Sequence, residues 1–262
     1  MIDLEEIGIN VSDSISHISN LSPSYVFDFD SISKTVKTII SSGHRRIPVV
    51  SKNNELTGII SYMDILDGLL RGLSRNTQIN AFMTRDVISA EATENINSVL
   101  RKLVTSKRGG MPITKNQKLM GIVSERDFIR LVSNKYFNIP VKNAMSHKPI
   151  TIAPNTSIQN CMKAMVNTHY RRLPVTKNKE VAGIVTGIDV LRFIDEINYN
   201  SIKLGDNVTD IMSTPVKYVT ETDDVSDAVK IILENNIGGL PVVNEENYLK
   251  GIITERNIIE LL

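Results

Sequence analysis

The sequence lacks the residues on which several classes of protein depend. It contains no tryptophan and one cysteine among 262 residues, so an intramolecular disulfide is excluded and a cysteine-rich zinc site is disfavoured. It also lacks an excess of charge, because 30 Lys and Arg residues oppose 29 Asp and Glu residues, a formal net charge of +1. Proteins that bind nucleic acid non-specifically normally carry a clear cationic excess. This composition therefore argues against nucleic acid as a partner.

Long apolar runs are missing as well. No stretch approaches the roughly 18 apolar residues that a membrane-spanning helix needs, and the acidic stretch at residues 1–6 has no signal-peptide pattern. We therefore expect a cytoplasmic protein with no membrane partner. The single Cys161 lies in an amphipathic run, residues 158–165, and is expected to be an inert core residue. Neither it nor the four histidines form a cluster at metal-ligand spacing, so no metal site is predicted.

A four-fold internal repeat dominates what is present. In each copy, two Arg or two Gly residues and one aliphatic residue precede a proline, and a Gly-Ile motif follows about ten residues later. The four prolines, which lie 64, 62 and 67 residues apart, are Pro48, Pro112, Pro174 and Pro241. The four glycines, 63, 62 and 68 residues apart, are Gly58, Gly121, Gly183 and Gly251. A lone unit of about sixty residues is only marginally stable, so the copies are expected to pack against one another.

The second copy shows the secondary structure most clearly. A β-prone run at residues 87–90 precedes Asn95, a helix N-cap, and then apolar residues follow at helical spacing. The pair Gly109-Gly110 is predicted to end this helix with a residue of positive φ. Two strands follow, at residues 111–114 and 119–123, and Ser124 begins a second helix. The sequence thus predicts an α/β (α+β) fold made of four tandem β-α-β-β-α units.

Copy one is the irregular copy. Its residues 11–15 resemble residues 208–212 of copy four, and that alignment leaves copy one four residues longer before its first helix. Polar connectors separate the copies. The predicted boundaries place copy one at 1–75, copy two at 76–137, copy three at 138–199 and copy four at 200–262.

The repeats alternate in type. Copies one and three share Arg-Arg before the proline, whereas copies two and four share Gly-Gly there and Glu-Arg after the Ser or Thr that follows the third strand. This pattern indicates duplication of a pair. It resembles the CBS domain, a β-α-β-β-α module, over essentially the whole chain. The resemblance implies two pseudo-symmetric CBS pairs, copies 1+2 and 3+4, arranged as a flat disc within one chain or as a homodimer. The architecture is similar to that of the gamma subunit of AMP-activated protein kinase.

A Ser/Thr-x-x-Asp/Asn tetrad follows the third strand of every copy. The tetrads are Ser61 with Asp64, Ser124 with Asp127, Thr186 with Asp189, and Thr254 with Asn257. This spacing is typical of a capping box at a helix N-terminus. The same position offers N–H donors to a phosphate, and the acid can accept two hydrogen bonds from a ribose diol. The resemblance implies that the acids bind ribose and the hydroxyls bind ribose or phosphate. Asn257 is neutral, so the fourth site is expected to be weak or empty.

Four arginines form the second candidate constellation. Arg45-Arg46 and Arg171-Arg172 suit the C-terminal dipole of a helix, but guanidinium groups also bind phosphate bidentately. The resemblance assigns phosphate binding to this position, with Arg126, His44 and His169 as lesser candidates. The Glu-Arg pairs at residues 125–126 and 255–256 are interpreted as part of a solvated helix face.

Aliphatic residues beside the tetrads and at the first strands are candidates for the walls of an adenine pocket. They are Val87, Pro149 and Val216 at the first strands, and Ile60, Val123, Val185 and Ile253 before the tetrads.

No catalytic constellation or phosphate-loop motif is found, so we expect no enzyme and no catalytic cofactor. The leading hypothesis is a stand-alone regulatory protein that binds AMP, ADP or ATP between paired copies and modulates an unknown protein partner. One alternative is an interaction scaffold whose tetrads serve only as caps. Others are a nucleic-acid-binding regulator and a protein that binds S-adenosylmethionine, a ligand that would leave the arginines without a phosphate.

Overall fold

The computed structural model describes residue 2, residues 4–199 and residues 201–262. Within them the chain forms helices and short strands, joined by single 3-10 turns. The helices are α1 (Ile32–Ser42), α2 (Tyr62–Leu70), α3 (Ile96–Thr105), α4 (Glu125–Leu131), α5 (Ile158–Thr168), α6 (Gly187–Glu196), α7 (Val225–Glu234) and α8 (Glu255–Ile259). The strands are β1 (Val26–Phe27), β2 (Arg46–Val50), β3 (Leu56–Ser61), β4 (Ala90–Glu91), β5 (Gly110–Lys115), β6 (Lys118–Ser124), β7 (Ser146–His147), β8 (Arg172–Lys177), β9 (Glu180–Thr186), β10 (Val219–Thr220), β11 (Gly239–Val243) and β12 (Leu249–Thr254).

Each copy follows the predicted strand-helix-strand-strand-helix order. In copy one, β1 pairs with β2 in parallel and β2 pairs with β3 antiparallel, and copies two and four repeat this pattern. In copy three the first strand is reduced to one parallel bridge between Ile152 and Val175. The first helix of copy two was placed correctly, because Asn95 caps it and its apolar residues are buried at helical spacing. The α/β fold class is confirmed.

Copy one is regular from Ile15 onward, which corrects the proposed alignment of residues 11–15 with 208–212. Each copy begins with a buried aliphatic residue at the start of a 3-10 turn. These residues, which all lie 33 residues before the proline of their copy, are Ile15 (48 − 15), Ile79 (112 − 79), Val141 (174 − 141) and Val208 (241 − 208). The apparent extra four residues therefore lie before Ile15, where no other copy has a counterpart. The error arose because a three-residue turn has too weak a pattern to align by sequence.

Paired copies exchange the segments that lead into their first strands. We call these stretches crossing segments: residues 19–25, 83–89, 145–151 and 212–218. In each, one or two residues pair antiparallel with the third strand of the neighbouring copy. These contacts, which join copy one to copy two and copy three to copy four, are Asn20 with Ile122, Thr84 with Ile59, Ser146 with Ile252, and Ser213 with Ile184. The pairing is reciprocal, so each copy both gives and receives a segment.

The crossing segments explain why a glycine recurs on the third strand. A Cβ atom on Gly121 would lie 2.8 Å from the backbone oxygen of Asn20, and one on Gly58 would lie 2.7 Å from the sulfur of Met83. Met212 and Met145 cover Gly183 and Gly251 in the same way. Glycine is required at these positions because another chain segment passes directly over the backbone.

Helices join the pairs. One hydrophobic core is built mainly from copies two and four, where α4 packs on α8. A second core is built from copies one and three, where α1 packs on α6 and α2 packs on α5. Going around the molecule, the copies therefore lie in the order one, two, four, three, with sheet contacts alternating with helix contacts. The disc of two pairs is thus completed within one chain, and all four copies meet at its centre.

Candidate functional site

All four tetrads form capping boxes at the N-termini of the second helices. In the first, Asp64 Oδ2 accepts from the backbone N–H of Ser61 and from its hydroxyl, both at 2.7 Å. The same two contacts lie at 2.8 Å between Ser124 and Asp127. Because one carboxylate oxygen makes both bonds, the cap leaves the second oxygen available.

The second oxygen of each Asp, and the amide nitrogen of Asn257, differ in their contacts from copy to copy. Within the described part of the chain, the carboxylates of Asp64 and Asp189 make no hydrogen bond or ion pair beyond these cap contacts. Asp127 Oδ1 lies 3.2 Å from the guanidinium of the exposed Arg130. In copy four, Asn257 turns its amide nitrogen to Ser146 Oγ at 3.1 Å. The tetrads of copies one and three are therefore the most open to a ligand, and that of copy four is the most committed to internal contacts.

The paired arginines lie at the centre of the disc, not at a helix end. Helix α1 ends at Ser42, and Arg46 is the first residue of β2. Its guanidinium donates to the carbonyl oxygen of Gly110 in copy two at 3.0 Å. Arg172, the first residue of β8, donates in the same way to Gly238 in copy four. Each pair of copies thus places an arginine of one copy against the glycines of the other.

This contact corrects the predicted role of Gly109-Gly110. Helix α3 ends at Thr105, and Lys107, with φ of 53°, supplies the left-handed residue after it. The glycines are needed for space, because a Cβ on Gly109 would lie 2.9 Å from Arg46 Nη2 and 3.0 Å from Arg171 Nη1. At Gly238 the arginines Arg45 and Arg172 fill the corresponding space.

Glu125 and Glu255 are buried, which corrects their assignment to a solvated face. Their side chains are 2% and 1% exposed. Glu255 pairs with Arg126 at 2.7 Å and with Arg45, while Glu125 lies 2.8 Å from Arg256. Copies two and four therefore exchange ion pairs between the N-termini of α4 and α8. We refer to these groups together as the central arginine cluster, which consists of Arg45, Arg46, Arg126, Arg171, Arg172, Arg256, Glu125 and Glu255.

The central arginine cluster carries an excess of positive charge. Six arginines and two glutamates give a formal charge of 6 − 2 = +4. Within the described part of the chain, Arg46, Arg171 and Arg172 form no salt bridge. Burial, reinforced by Arg171, lowers the pKa of Arg46 to about 9. Burial together with Arg45 lowers the pKa of Arg172 to about 10. Both remain charged at neutral pH, at a cost that an anion would relieve.

Glu255 has the opposite environment. Its burial alone would raise the pKa of the carboxyl, but Arg45, Arg126 and Arg172 outweigh burial and lower the pKa to about 2. Burial likewise opposes the charge of Arg45, yet Glu255 raises the pKa of that arginine. The two halves of the centre are therefore unequal, because Arg45 has a carboxylate partner whereas its counterpart Arg171 has none among the described residues.

The lesser phosphate candidates lie around this centre. Arg126 is held by Glu255, by the side chain of Asn236 and by the carbonyl of Ile237, so all of its guanidinium nitrogens already have protein partners. His44 follows α1 and is half-buried, whereas His169 is the exposed left-handed residue that ends α5, with φ of 58°. His169 therefore has a structural role, as the residue that ends α5.

The predicted adenine walls divide into two groups. Ile60, Val123, Val185 and Ile253 are fully buried in the two cores, so their side chains are not available to a ligand. Val87, Pro149 and Val216 precede the first strands and belong to the crossing segments. The strand residues on the opposite face, which sequence reasoning missed, contact those segments. They are Ile59, Ile122, Ile184 and Ile252. Successive side chains of a strand point to opposite faces of the sheet, and this alternation could have identified these residues from the sequence.

Two further observations concern metal binding and membrane-spanning helices. Within residues 4–199 and 201–262, no group of three His, Cys, Asp or Glu residues is arranged to hold a metal ion. No helix in the same residues is long and apolar enough to cross a bilayer. Cys161 is fully buried, and burial raises the pKa of its thiol to about 12, so it is an unreactive core residue as predicted.

A family match and full-length relatives agree with this architecture. A sequence model of the family described as CBS domain matches residues 15–71, 79–134, 141–196 and 208–262. The protein MJ1225 of Methanocaldococcus jannaschii is 28% identical over 261 residues, covering 90% of this chain and 93% of that protein. Its crystal structure, described as that of a candidate archaeal homologue of γ-AMPK, has a TM-score of 0.88 at 26% identity and covers 95% of this chain and 99% of that one.

Similarity to enzymes is partial. The inosine-5'-monophosphate dehydrogenase of Thermoplasma acidophilum is 35% identical over 109 residues, which cover 42% of this chain but only 21% of the enzyme. By contrast, a 33.4 kDa protein of Thermofilum pendens is 28% identical over 260 residues, covering 88% of this chain and 86% of that protein. The full-length likeness is therefore to proteins of similar size.

Proposed function

The chain belongs to the CBS-domain family, and from that premise we propose that it is a non-catalytic regulatory protein. It binds an adenine nucleotide, AMP, ADP or ATP, in clefts between paired copies and thereby modulates a protein partner. For such modulation, the nucleotide must bind one arrangement of the copies more tightly than another. The clefts suit this role because paired copies contribute different parts of each cleft.

The central arginine cluster is the observation that carries this proposal. Its formal charge of +4 is partly buried, and three of its arginines have no carboxylate partner within the described residues. Phosphate groups neutralise such charge and accept bidentate hydrogen bonds from guanidinium. In each pair, the copy with Arg-Arg supplies the arginine and the copy with Gly-Gly supplies the space for it.

The tetrads supply the proposed ribose contacts. Asp64 and Asp189 are the strongest candidates, because their second carboxylate oxygen has no partner among residues 4–199 and 201–262. Binding at Asp127 must displace Arg130, a weak obstacle since that arginine is exposed. Asn257 is neutral and already donates to Ser146, so the fourth site is proposed to be the weakest. The hydroxyls at the start of each tetrad, of Ser61, Ser124, Thr186 and Thr254, are the proposed further contacts to ribose or phosphate.

Isothermal titration with AMP, ADP, ATP and S-adenosylmethionine tests the proposal. Asp189→Asn keeps an acceptor oxygen for the cap but removes the carboxylate charge, and should weaken nucleotide binding at one site by tenfold or more. Arg171→Gln should do the same for phosphorylated ligands, since Arg171 forms no ion pair with any residue that the structure describes. Asp227→Asn, which changes a capping box on the first helix of copy four, is the matched control and should leave binding unchanged.

Other outcomes would replace the proposal. If no ligand produces heat or raises the melting temperature, the tetrads are only caps and the chain is an interaction scaffold, since a native-state ligand must stabilise. Binding of S-adenosylmethionine that is insensitive to Arg171→Gln would identify an adenosyl regulator without a phosphate site. Salt-dependent retention on DNA or RNA would indicate a nucleic-acid regulator.

A further inference from the structure

A shallow groove of about 470 Å³ lies where copy one meets copy two, near the beginning of the third strands, whereas the tetrads follow the ends of those strands. Its floor includes Leu21, Tyr25 and Phe27 from copy one and Leu119 and Met120 from the hairpin of copy two. We call it the copy-one groove. Three large apolar side chains in it remain well exposed, with Leu21 at 53%, Tyr25 at 46% and Met120 at 42%. Exposed apolar clusters of this kind commonly mark interaction surfaces.

An aromatic row runs along the copy-one groove: Tyr25 and Phe27 lie in its lining, and Phe29 stacks on Phe27 beside it. Tyr25, Phe27 and Phe29 occupy alternate positions in and beside β1, and their rings contact one another. Phe27 and Phe29 are stacked with ring centroids 5.2 Å apart, and Tyr25 meets Phe27 edge-on at 5.8 Å. Aromatic side chains offer large contact areas at low entropic cost and are enriched at protein interfaces.

The fold does not require this row. The four copies share one backbone plan, so a residue type needed for folding should recur at matching positions. The positions matching Tyr25, Phe27 and Phe29 are instead occupied by Ser89, Glu91 and Thr93 in copy two, by Thr151, Ala153 and Asn155 in copy three, and by Tyr218, Thr220 and Thr222 in copy four. Copy one alone has three aromatics, and a role outside folding is the simplest reason for them.

The charge of the copy-one groove indicates its occupant. Among the described residues that line it, Lys52 alone is charged, and its Nζ lies 5.6 Å from the centroid of the Phe29 ring. It forms no salt bridge within the described residues. Lys34, beside Phe27, is already paired with Asp30 at 2.8 Å. An apolar floor with one unpaired cation complements a segment in which apolar residues adjoin a carboxylate.

We propose that the copy-one groove docks an apolar segment of a protein partner that carries an Asp or Glu beside its apolar residues. The aromatic row and Met120 bury the apolar side chains, and Lys52 pairs with the carboxylate. This surface is separate from the nucleotide clefts, which lie at the centre of the disc.

Selection of random twelve-residue peptides on the immobilised full-length chain tests the proposal. Enriched peptides should combine apolar residues with Asp or Glu, and their affinities can be measured by fluorescence polarisation. The double variant Tyr25→Ser and Phe29→Thr, which introduces the residues of copy two, should weaken binding at least tenfold, and so should Lys52→Glu. Tyr218→Ser, at the matching exposed tyrosine of copy four, is the control and should have no effect.

Several results would overturn the proposal. These are no enrichment, enrichment of basic peptides, or equal affinity for the groove variants and the parent chain. Loss of a homodimer in sedimentation when the groove is changed would assign the surface to a second copy of the chain. Loss of single-stranded oligonucleotide binding in the same variants would assign it to nucleic acid. Nucleotide titrations and melting curves of the groove variants should match the parent, which separates this test from that of the proposed function.

Discussion

At the scale of single residues, Glu255 links three copies at the centre of the disc. It comes from copy four and neutralises Arg45 of copy one and Arg126 of copy two. A buried carboxylate between two arginines is stabilising only while both partners are present, because an unpaired buried charge is costly. The same glutamate also limits the positive charge that the centre can offer to an anion.

The pH dependence of stability should report on Glu255. Its pKa is lowered from 4.5 to about 2 on folding, so its stabilising contribution is present above pH 4.5 and is lost as the pH falls toward 2. Glu255→Gln should lower the free energy of unfolding by about 3 kcal/mol at pH 7, and the difference from the parent should shrink between pH 4.5 and pH 2. Urea unfolding at several pH values measures both effects.

Glu94→Gln is the matched control for that experiment. Glu94 also has a lowered pKa, but it is only partly buried and pairs with the exposed Lys102, so its contribution should be small. Parallel pH profiles for the parent and Glu255→Gln would contradict the assigned role.

The roles of these residues could be predicted from sequence only in part. The tetrads were identifiable as caps because a capping box is a local pattern of four residues. The prediction that Glu125 and Glu255 lie on a solvated helix face was wrong. Their arginine partners come from other copies, more than a hundred residues away. Nothing in the local sequence distinguishes a Glu-Arg pair on a solvated helix from one at a four-copy junction.

At the scale of elements, the crossing segments determine which positions on the third strands must be small. Gly121 forms part of β6 in copy two, yet the atom that excludes a side chain there belongs to Asn20 in copy one. The two backbones are joined by a pair of hydrogen bonds between Asn20 and Ile122, at 3.0 and 2.9 Å. A crossing segment of copy one thus pairs with the third strand of copy two.

Gly121→Ala should therefore destabilise the protein. The added Cβ meets a backbone atom that cannot rotate away, and overpacking of this kind typically costs about 1–3 kcal/mol. Gly205→Ala is the control, because a Cβ there has no atom within 4 Å. Urea unfolding measures the free energy of both variants. A value for Gly121→Ala equal to that of Gly205→Ala would show that the crossing segment moves freely.

Elements that have a local sequence pattern were predicted correctly, whereas features that depend on contacts between copies were not. Helix α3 was found from its cap and its apolar spacing. The prediction that Gly109-Gly110 ends a helix was wrong. A glycine is needed at Gly109 because arginine side chains from other copies occupy the space that a Cβ would fill. The 3-10 turn at Ile15 was missed for a related reason, since three residues carry too little pattern to align without the contacts that bury them.

At the scale of the whole molecule, the two cores tie the pairs together. Each core takes one copy from each pair, so neither pair contains a complete core. The sequence does not reveal this sharing of cores between pairs, because the helix faces of all four copies have similar apolar patterns.

A fragment of residues 1–137 should therefore not be monomeric. Its exposed helices, α1 with α2 in copy one and α4 in copy two, lack the partners that copies three and four supply. We expect it to form a homodimer in which a second fragment takes the place of copies three and four. Light scattering after size-exclusion chromatography measures the mass, with the full chain as reference. A stable monomeric fragment would contradict the shared-core arrangement.

The reciprocal exchange of crossing segments also constrains how such a protein can evolve. Removing one copy would leave its partner with an uncovered third strand and would leave a crossing segment with no strand to join. Removing two paired copies leaves no such defect within the remaining sheets. The pair is therefore the smallest unit that can be duplicated or lost without opening a sheet, which accounts for copies that alternate in type along the chain.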